Sequence, residues 1–264
     1  MSAVSTSATG PGLLVSTEDG TATVTISNPA RRNAMTVAMW ESLPGLLAGL
    51  AADPAVRVLV LTGAGDTFCA GADITGFTGA DGSRGSQDAA VAAEEALAAF
   101  PKPTVAEVRG YCVGGGCQLA VACDVRFAAE GARFGVTPAR LGIVYAASST
   151  RRLVRLTGPS TAKYLLFSAE LIDHERALRT GLVDEVLPAD ELGKRVREFT
   201  GVMGSRSQLT QAAAKEFADT ADAVAADRLT HWAEQARTSG DTAEGVAAFL
   251  ERRDPRFTWS PGAG

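Results

Sequence analysis

The sequence has little histidine, little cysteine and no surplus of positive charge. Its 264 residues include two histidines, His174 and His231, which lie far apart in polar, helix-like segments. Either could act in catalysis, but surface or helix-packing positions are the expectation. The four cysteines form no CxxC pair, so no metal site is predicted and buried, reduced thiols are expected. These cysteines are Cys69, Cys112, Cys117 and Cys123.

The charge balance and the absence of long apolar runs exclude further classes. A net charge of −5 argues against nucleic acid or an anionic membrane as the main partner. No apolar run reaches membrane-spanning length. The opening MSAVSTSATGPG has neither a basic stretch nor a hydrophobic core, so residues 1–12 are predicted to be a disordered tail and not a signal peptide. A cytoplasmic protein is expected.

Strand, glycine turn and helix alternate through the first half of the chain. LLVSTEDGTATVTIS alternates apolar and polar residues around Asp19-Gly20, which predicts a hairpin. A helix is predicted after Thr36, kinked or interrupted at Pro44-Gly45. VRVLVLTGAG is typical of a buried parallel strand. TVAEVRG, GGGCQLAVAC and DVRFAA continue the pattern as strand, turn into helix, and strand.

Two other regions look different from this β/α pattern. The segment from Gly76 to Asp88 is polar and glycine-rich and is predicted to be a mobile loop. From Arg151 onward the pattern predicts helix throughout. The expected architecture is therefore an α/β core over residues 13–200, followed by a helical region over 201–264. That region is expected to serve as a flap or in oligomerisation.

Glycines open a predicted helix at GGGCQLA and a second strand–helix junction at CAGADI. A helix start leaves backbone N–H groups unpaired, and glycine lets a ligand oxygen approach them. Two such starts could converge on one oxygen and stabilise an oxyanion. The alternative is that the glycines serve only tight turns and packing. No nucleotide P-loop is present, and GAGDTF has Phe68 where a dinucleotide fingerprint needs glycine.

Several ordered motifs are similar to those of the crotonase, or enoyl-CoA hydratase/isomerase, superfamily. They are NPARRNAM, GAGDTFCAGADI, the segment from Phe100 to Gly135, ERALRTGLVDEV and EGVAAFLERRDPRF. The resemblance implies a crotonase-like spiral of β-β-α units, a C-terminal trimerisation region, and an acyl-CoA thioester held between the N–H groups of Ala72 and Gly115. A homotrimer or a dimer of trimers is implied, with no cofactor apart from the coenzyme A of the substrate.

The resemblance also suggests which residues frame the coenzyme A. They lie around the first arginine-rich motif and the two glycine turns, at Arg31, Asn33, Ala34, Ala70 and Gly114. Arg32 and the C-terminal Arg252 and Arg253 are further candidates for phosphate contacts. Solvated surface charge is an equal alternative for each arginine.

The sequence departs from the family where its hydratases carry two catalytic glutamates. Gln118 and Pro138 stand at those positions, and neither exchanges a proton at neutral pH. FGVTPARLGIVY resembles the methylmalonyl-CoA decarboxylase branch, with its T-P-x-x-L-G-x-x-Y pattern, which implies that Thr137 and Tyr145 face the reacting carbon. Loss of CO₂ from a malonyl-type thioester needs an oxyanion hole and no base, so a decarboxylase is the first hypothesis. Packing is the alternative role for Tyr145.

Two other hypotheses stay open. One is an enoyl-CoA hydratase or isomerase with a relocated carboxylate, and the spacing does not select among the candidates. These are Asp73, Asp81, Asp88, Glu94 and Glu95. The other is an acyl-CoA-binding protein that keeps the thioester site and has lost catalysis.

Overall fold

A computed structural model describes residues 10–73, 79–220 and 223–262, with the side chains of 79–84 excluded. Most of the predicted tail therefore lies outside the described residues. Its last residue, Gly12, begins the first strand. Six strands form the main sheet in the order β1-β2-β3-β4-β6-β9. They are β1 (Gly12–Glu18), β2 (Thr21–Ser27), β3 (Val58–Gly63), β4 (Thr104–Val108), β6 (Val125–Ala129) and β9 (Glu185–Leu187).

The hairpin and the buried parallel strand are both confirmed. β1 pairs antiparallel with β2, and Asp19 and Gly20 turn the chain with φ of 47° and 78°. β3 lies parallel between β2 and β4, with four consecutive buried residues over Val58–Leu61. Such a strand is apolar on both faces because helices cover both. The α/β class is thus as expected.

A second, three-stranded sheet forms beside the main one, in the order β5-β7-β8. Its strands are β5 (Tyr111–Val113), β7 (Arg133–Gly135) and β8 (Ile172–Asp173). The first two are parallel. β5 leads through Gly114 into a helix, so this sheet fixes where that helix begins.

Nine α-helices complete the described part of the chain. They are α1 (Val37–Ala52), α2 (Gly79–Ala98), α3 (Gly115–Ala122), α4 (Ala147–Ser168), α5 (His174–Arg179), α6 (Leu192–Gly204), α7 (Gln208–Asp219), α8 (Ala226–Thr238) and α9 (Asp241–Glu251). The Thr36 side chain caps α1 by accepting from Met39 N. α1 continues through Pro44, so the predicted interruption is wrong. Buried Trp40, Leu43 and Leu47 hold both halves of α1 against the core.

The predicted glycine-rich loop is also wrong over most of its length. Residues 76–78 lie outside the described residues, but 79–88 form the first half of α2. Low helix propensity at these glycines is overcome because Ala90, Ala93 and Leu97 anchor the second half in the core. Once that half is formed, each added residue extends a helix whose nucleation has already occurred.

The C-terminal half is mainly helical, as expected, with two exceptions. β8 and β9 interrupt the helices after Arg151, so the prediction that the chain is helical throughout this region is wrong. Both strands are three residues or shorter, too short to show a period of two. α6 runs across the predicted boundary at residue 200. The division into core and helical region, and a trimer, stay predictions. No described helix combines the length and apolar character that crossing a bilayer requires.

The cysteines are all buried and free, which agrees with the expectation. Burial raises the pKa of Cys69 and of Cys123 to about 12. Since the thiolate is the reactive form, we expect none of the four to react with a thiol reagent at pH 8 in the native protein, and all four to react in denaturant. Counting labelled thiols by mass spectrometry checks this. Labelling of even one cysteine in the native state, at the rate seen in denaturant, would contradict it.

Candidate active site

A cavity of about 530 Å³ brings together most of the residues that the sequence singled out. It lies where α2, the start of α3 and the segment before α4 meet. Seven predicted site residues line it: Ala70, Ala72, Gly114, Gly115, Gln118, Thr137 and Tyr145. Larger hollows of about 910, 760 and 620 Å³ lie against the C-terminal helices, but none of the seven lines them.

The backbone N–H of Ala72 points away from the neighbouring segment at Met35. Met35 donates its N–H to Gly71 O at 2.8 Å and accepts from Asp73 N at 2.8 Å. In such a parallel bridge the groups of the intervening residue, Ala72, point the opposite way. Gly71 makes this turn with φ of 112°, which favours glycine. No backbone acceptor for the Ala72 N–H occurs among the described residues.

Gly115 is the first residue of α3, so its N–H has no partner within the helix. A Cβ there would lie 2.8 Å from Trp40 Cζ2 and 3.6 Å from Ala72 N. Any side chain would enter the space beside both N–H groups. The preceding Gly114 has φ of 56° and donates to Gly135 O at 2.8 Å, which anchors the turn to β7.

Trp40 supplies a third polar group that the sequence did not point to. The side chain is fully buried, lines the cavity and packs its Cζ2 edge against Gly115. The indole N–H on that same edge has no hydrogen-bond partner within the described part of the chain. A buried unpaired donor costs about 1–3 kcal/mol, so this group favours a ligand acceptor nearby.

Gln118 joins the cavity to a buried carboxylate. It is 6% exposed, and its Nε2 donates to Glu94 Oε2 at 2.7 Å. Glu94, on α2, is 0% exposed. It also accepts from the hydroxyl of Ser149 and pairs with Arg152 at 2.7 Å. Three donors thus compensate the charge of a group that burial would otherwise penalise.

Tyr145 lines the cavity near the same carboxylate. Burial, with Cys117 and Glu94 close by, raises the pKa of Tyr145 well above 10. It is therefore a neutral phenol at physiological pH. Thr137 lies opposite Gly114, with its hydroxyl 3.5 Å from where a Cβ on that glycine would stand.

The five candidate carboxylates occupy different places. Asp88 is the one carboxylate among the described residues that line the cavity. Glu95 is largely exposed and pairs with Arg152, which lowers its pKa. Glu94 lies one layer behind the cavity wall, and Asp73 directly follows Ala72. The side chain of Asp81 lies outside the described residues.

The other residues suggested for coenzyme A contacts lie away from this cavity. Asn33 is 1% exposed and ties its turn to the segment after β3, donating to Ala64 O at 2.8 Å and Thr67 O at 2.6 Å. Ala34 is buried as well. Arg31 is exposed, while Arg253 pairs with Glu244 and Glu251.

The remaining arginines and the histidines contribute nothing to the cavity wall. Arg32 stacks 5.2 Å from the ring of Tyr111, and Arg252 is exposed. The Nδ1 of His174 accepts from Gly131 N. His231 packs edge-on against Trp232. The expectation of helix-packing or surface positions for the histidines therefore agrees with the structure.

Comparison with known proteins gives one consistent result. The family model described as enoyl-CoA hydratase/isomerase matches residues 16–260. A 2,3-dehydroadipyl-CoA hydratase of Escherichia coli is 35% identical over 93% of this chain and 98% of its own. A crotonyl-CoA hydratase of Syntrophomonas wolfei is 34% identical over 93% and 97%. A putative enoyl-CoA hydratase/isomerase family protein from Hyphomonas neptunium superposes with a TM-score of 0.88, at 33% identity, over 94% and 97% of the two chains.

Proposed function

Because this chain belongs to the enoyl-CoA hydratase/isomerase family, we propose that it converts an unsaturated acyl-CoA thioester, polarising the thioester carbonyl between the N–H groups of Ala72 and Gly115. One observation carries the proposal. Ala72 lies in an extended segment that bridges to Met35 and not at a helix start, while Gly115 begins α3. These two places far apart in sequence bring to the same cavity N–H groups that have no backbone partner among the described residues, with no side chain between them. Donors aimed at a developing oxyanion contribute several kcal/mol to catalysis.

The acyl-CoA reaction also needs a proton acceptor, and Asp88 is our candidate. Hydration or double-bond migration moves a proton at the acyl chain, which the non-titrating Gln118 and Pro138 do not accept. Asp88 supplies the carboxylate that these positions lack, from α2 on another wall of the cavity. The names of the relatives favour hydration or isomerisation over the decarboxylase hypothesis.

Decarboxylation is kept as a second candidate because of two other residues. Thr137 and Tyr145, which the resemblance to decarboxylases implied, both line the cavity. An enolate formed by loss of CO₂ would use the same pair of N–H groups without a base. The two reactions therefore differ in their substrate and in their need for a proton acceptor.

Incubation with crotonyl-CoA and with methylmalonyl-CoA separates the hypotheses. We expect loss of the enoyl thioester absorbance with the first and no CO₂ release from the second. We expect Asp88→Asn to lower kcat by roughly 10²–10⁴-fold, because that is the contribution of a positioned acid–base group. Glu95→Gln, on the same helix and outside the cavity, is the matched control.

Three other outcomes would each overturn part of the proposal. Release of CO₂ from methylmalonyl-CoA with crotonyl-CoA unchanged would establish decarboxylation instead. Saturable binding of both thioesters without turnover would establish a binding protein. Full activity of Asp88→Asn would remove that residue from the mechanism while leaving the reaction itself standing.

A further inference from the structure

The buried carboxylate of Glu94 is connected to one group in the cavity wall. Gln118 contacts it directly, and Ser149 donates to it from behind. Arg152 pairs with its other oxygen. Neither Ser149 nor Arg152 lines the cavity. The arrangement therefore lies behind the wall and acts on a ligand only through Gln118 in front.

An anionic carboxylate only accepts hydrogen bonds, which fixes the direction of every bond in the arrangement. The amide of Gln118 must present its NH₂ to Glu94, so its carbonyl oxygen is turned away from the carboxylate. Ser149 uses its single proton on Glu94 and so helps to hold the carboxylate in place.

The cavity thus has donors and acceptors on different parts of its wall. Ala72, Gly115 and the indole of Trp40 are donors, and they lie beside one another. Gln118, by contrast, has its NH₂ group held by Glu94, so its carbonyl oxygen is the part directed away from the carboxylate. A group that donates a hydrogen bond is stabilised by this acceptor, whereas a carboxylate at the same place would face the carbonyl oxygen with the anionic Glu94 behind it.

We propose that Glu94 is a positioning residue that makes Gln118 a hydrogen-bond acceptor, so that the cavity selects a proton-donating group, a water molecule or an acyl hydroxyl, and disfavours a carboxylate. The inference rests on the proposed function only in taking a coenzyme A thioester as the ligand. It concerns binding and does not require that any particular reaction is catalysed.

The test compares the binding of two coenzyme A thioesters by calorimetry. 3-Hydroxybutyryl-CoA carries a hydroxyl near the thioester, and malonyl-CoA carries a carboxylate. For the wild-type protein we expect the hydroxyl compound to bind at least about tenfold more tightly than malonyl-CoA. The reason is that its hydroxyl donates a hydrogen bond to the acceptor in the cavity wall, whereas the carboxylate of malonyl-CoA leaves that acceptor unsatisfied. In Glu94→Gln the new amide can donate as well as accept, which frees Gln118 to turn its NH₂ toward the ligand. The preference should therefore fall about fivefold or more.

Glu95→Gln is the matched control, because Glu95 also pairs with Arg152 but contacts neither Gln118 nor Ser149. It should keep the wild-type preference within about twofold. Ser149→Ala removes one of the three donors that hold the Glu94 carboxylate and is the second variant should Glu94→Gln fail to fold. We expect it to lower the preference about threefold, with thermal unfolding showing that the protein is folded.

An equal or tighter affinity of the wild-type protein for malonyl-CoA would overturn the inference. An unchanged preference for 3-hydroxybutyryl-CoA in a folded Glu94→Gln protein would also overturn it. If Glu94→Gln does not fold, an unchanged preference in Ser149→Ala would do the same. The result is independent of turnover. A protein that shows the preference and its loss, yet does not hydrate crotonyl-CoA, refutes the proposed function alone. A hydratase with no preference refutes this inference alone.

Discussion

Gly115→Ala is expected to lower kcat/KM for the acyl-CoA substrate by about 10²–10³-fold, the loss seen when one oxyanion donor is removed. The new Cβ would stand 2.8 Å from Trp40 Cζ2, on a fully buried ring, and 3.6 Å from Ala72 N. It would therefore displace the ring or move the start of α3, and it would occupy space beside both N–H groups. Steady-state kinetics measures the effect, with thermal unfolding as a check on folding.

Gly49→Ala is the control for this substitution. Gly49 also lies in a helix, α1, but a Cβ there meets nothing within 4 Å. Activity should be unchanged, and stability should rise by about 0.5–1 kcal/mol because alanine is the better helix former. If a folded Gly115→Ala protein kept more than about a third of the wild-type kcat/KM, the two N–H groups would not be the site of thioester polarisation.

Gln118→Glu, which introduces the residue that the resemblance to hydratases implies at this position, is expected to destabilise this protein. The new carboxyl would lie where Nε2 now contacts Glu94 at 2.7 Å, so two carboxylates would face each other in a buried site. One of them must keep its proton, and the pKa of the pair rises above the ordinary value of about 4.3. Breaking a buried charge arrangement of this kind costs roughly 3–5 kcal/mol.

The pH dependence of this effect has a defined sign. A carboxyl whose pKa is higher in the folded than in the unfolded state causes no loss of stability at pH well below about 4. The penalty grows as the pH rises through the folded-state pKa. Urea unfolding at pH 5 and pH 8 should therefore show Gln118→Glu closer to the wild-type protein at pH 5.

The double variant Glu94→Gln with Gln118→Glu tests the cause directly. It restores one amide and one carboxylate to the contact, with the same total charge as the wild-type protein. We expect it to recover most of the lost stability at pH 8. A single variant as stable as the wild-type protein at both pH values would show that the contact between residues 94 and 118 does not form.

The parts of the site that the sequence predicted are those that local patterns determine. The glycine turn into a helix at Gly114-Gly115 is confirmed, because glycine and helix-start signals act over a few neighbouring residues. At Gly71-Ala72 the glycine turn is present, but the described chain is extended and bridges to Met35 where a helix start was expected. The same local signals located the hairpin at Asp19-Gly20. Gln118 is a departure only through the family resemblance, which implies a hydratase glutamate directly after GGGC.

The arrangement behind the wall depends on tertiary packing and was not predicted. Glu94 is 24 residues from Gln118 and 55 from Ser149 along the chain. No spacing rule joins these positions, and α2 itself begins in a segment whose glycines predict a loop. Glu94 was one of five candidate carboxylates, and only its burial distinguishes it from its exposed neighbour Glu95.

The position of Trp40 gives this protein a built-in optical reporter. Its indole edge lies against Gly115 and its N–H has no partner among the described residues, so a bound thioester oxygen nearby would change the polarity that the excited ring experiences. The other two tryptophans, Trp232 and Trp259, lie 6.1 Å apart in the C-terminal region, away from this cavity. Replacing both with phenylalanine leaves a single emitting indole, whose spectrum follows occupancy of the site without any added dye.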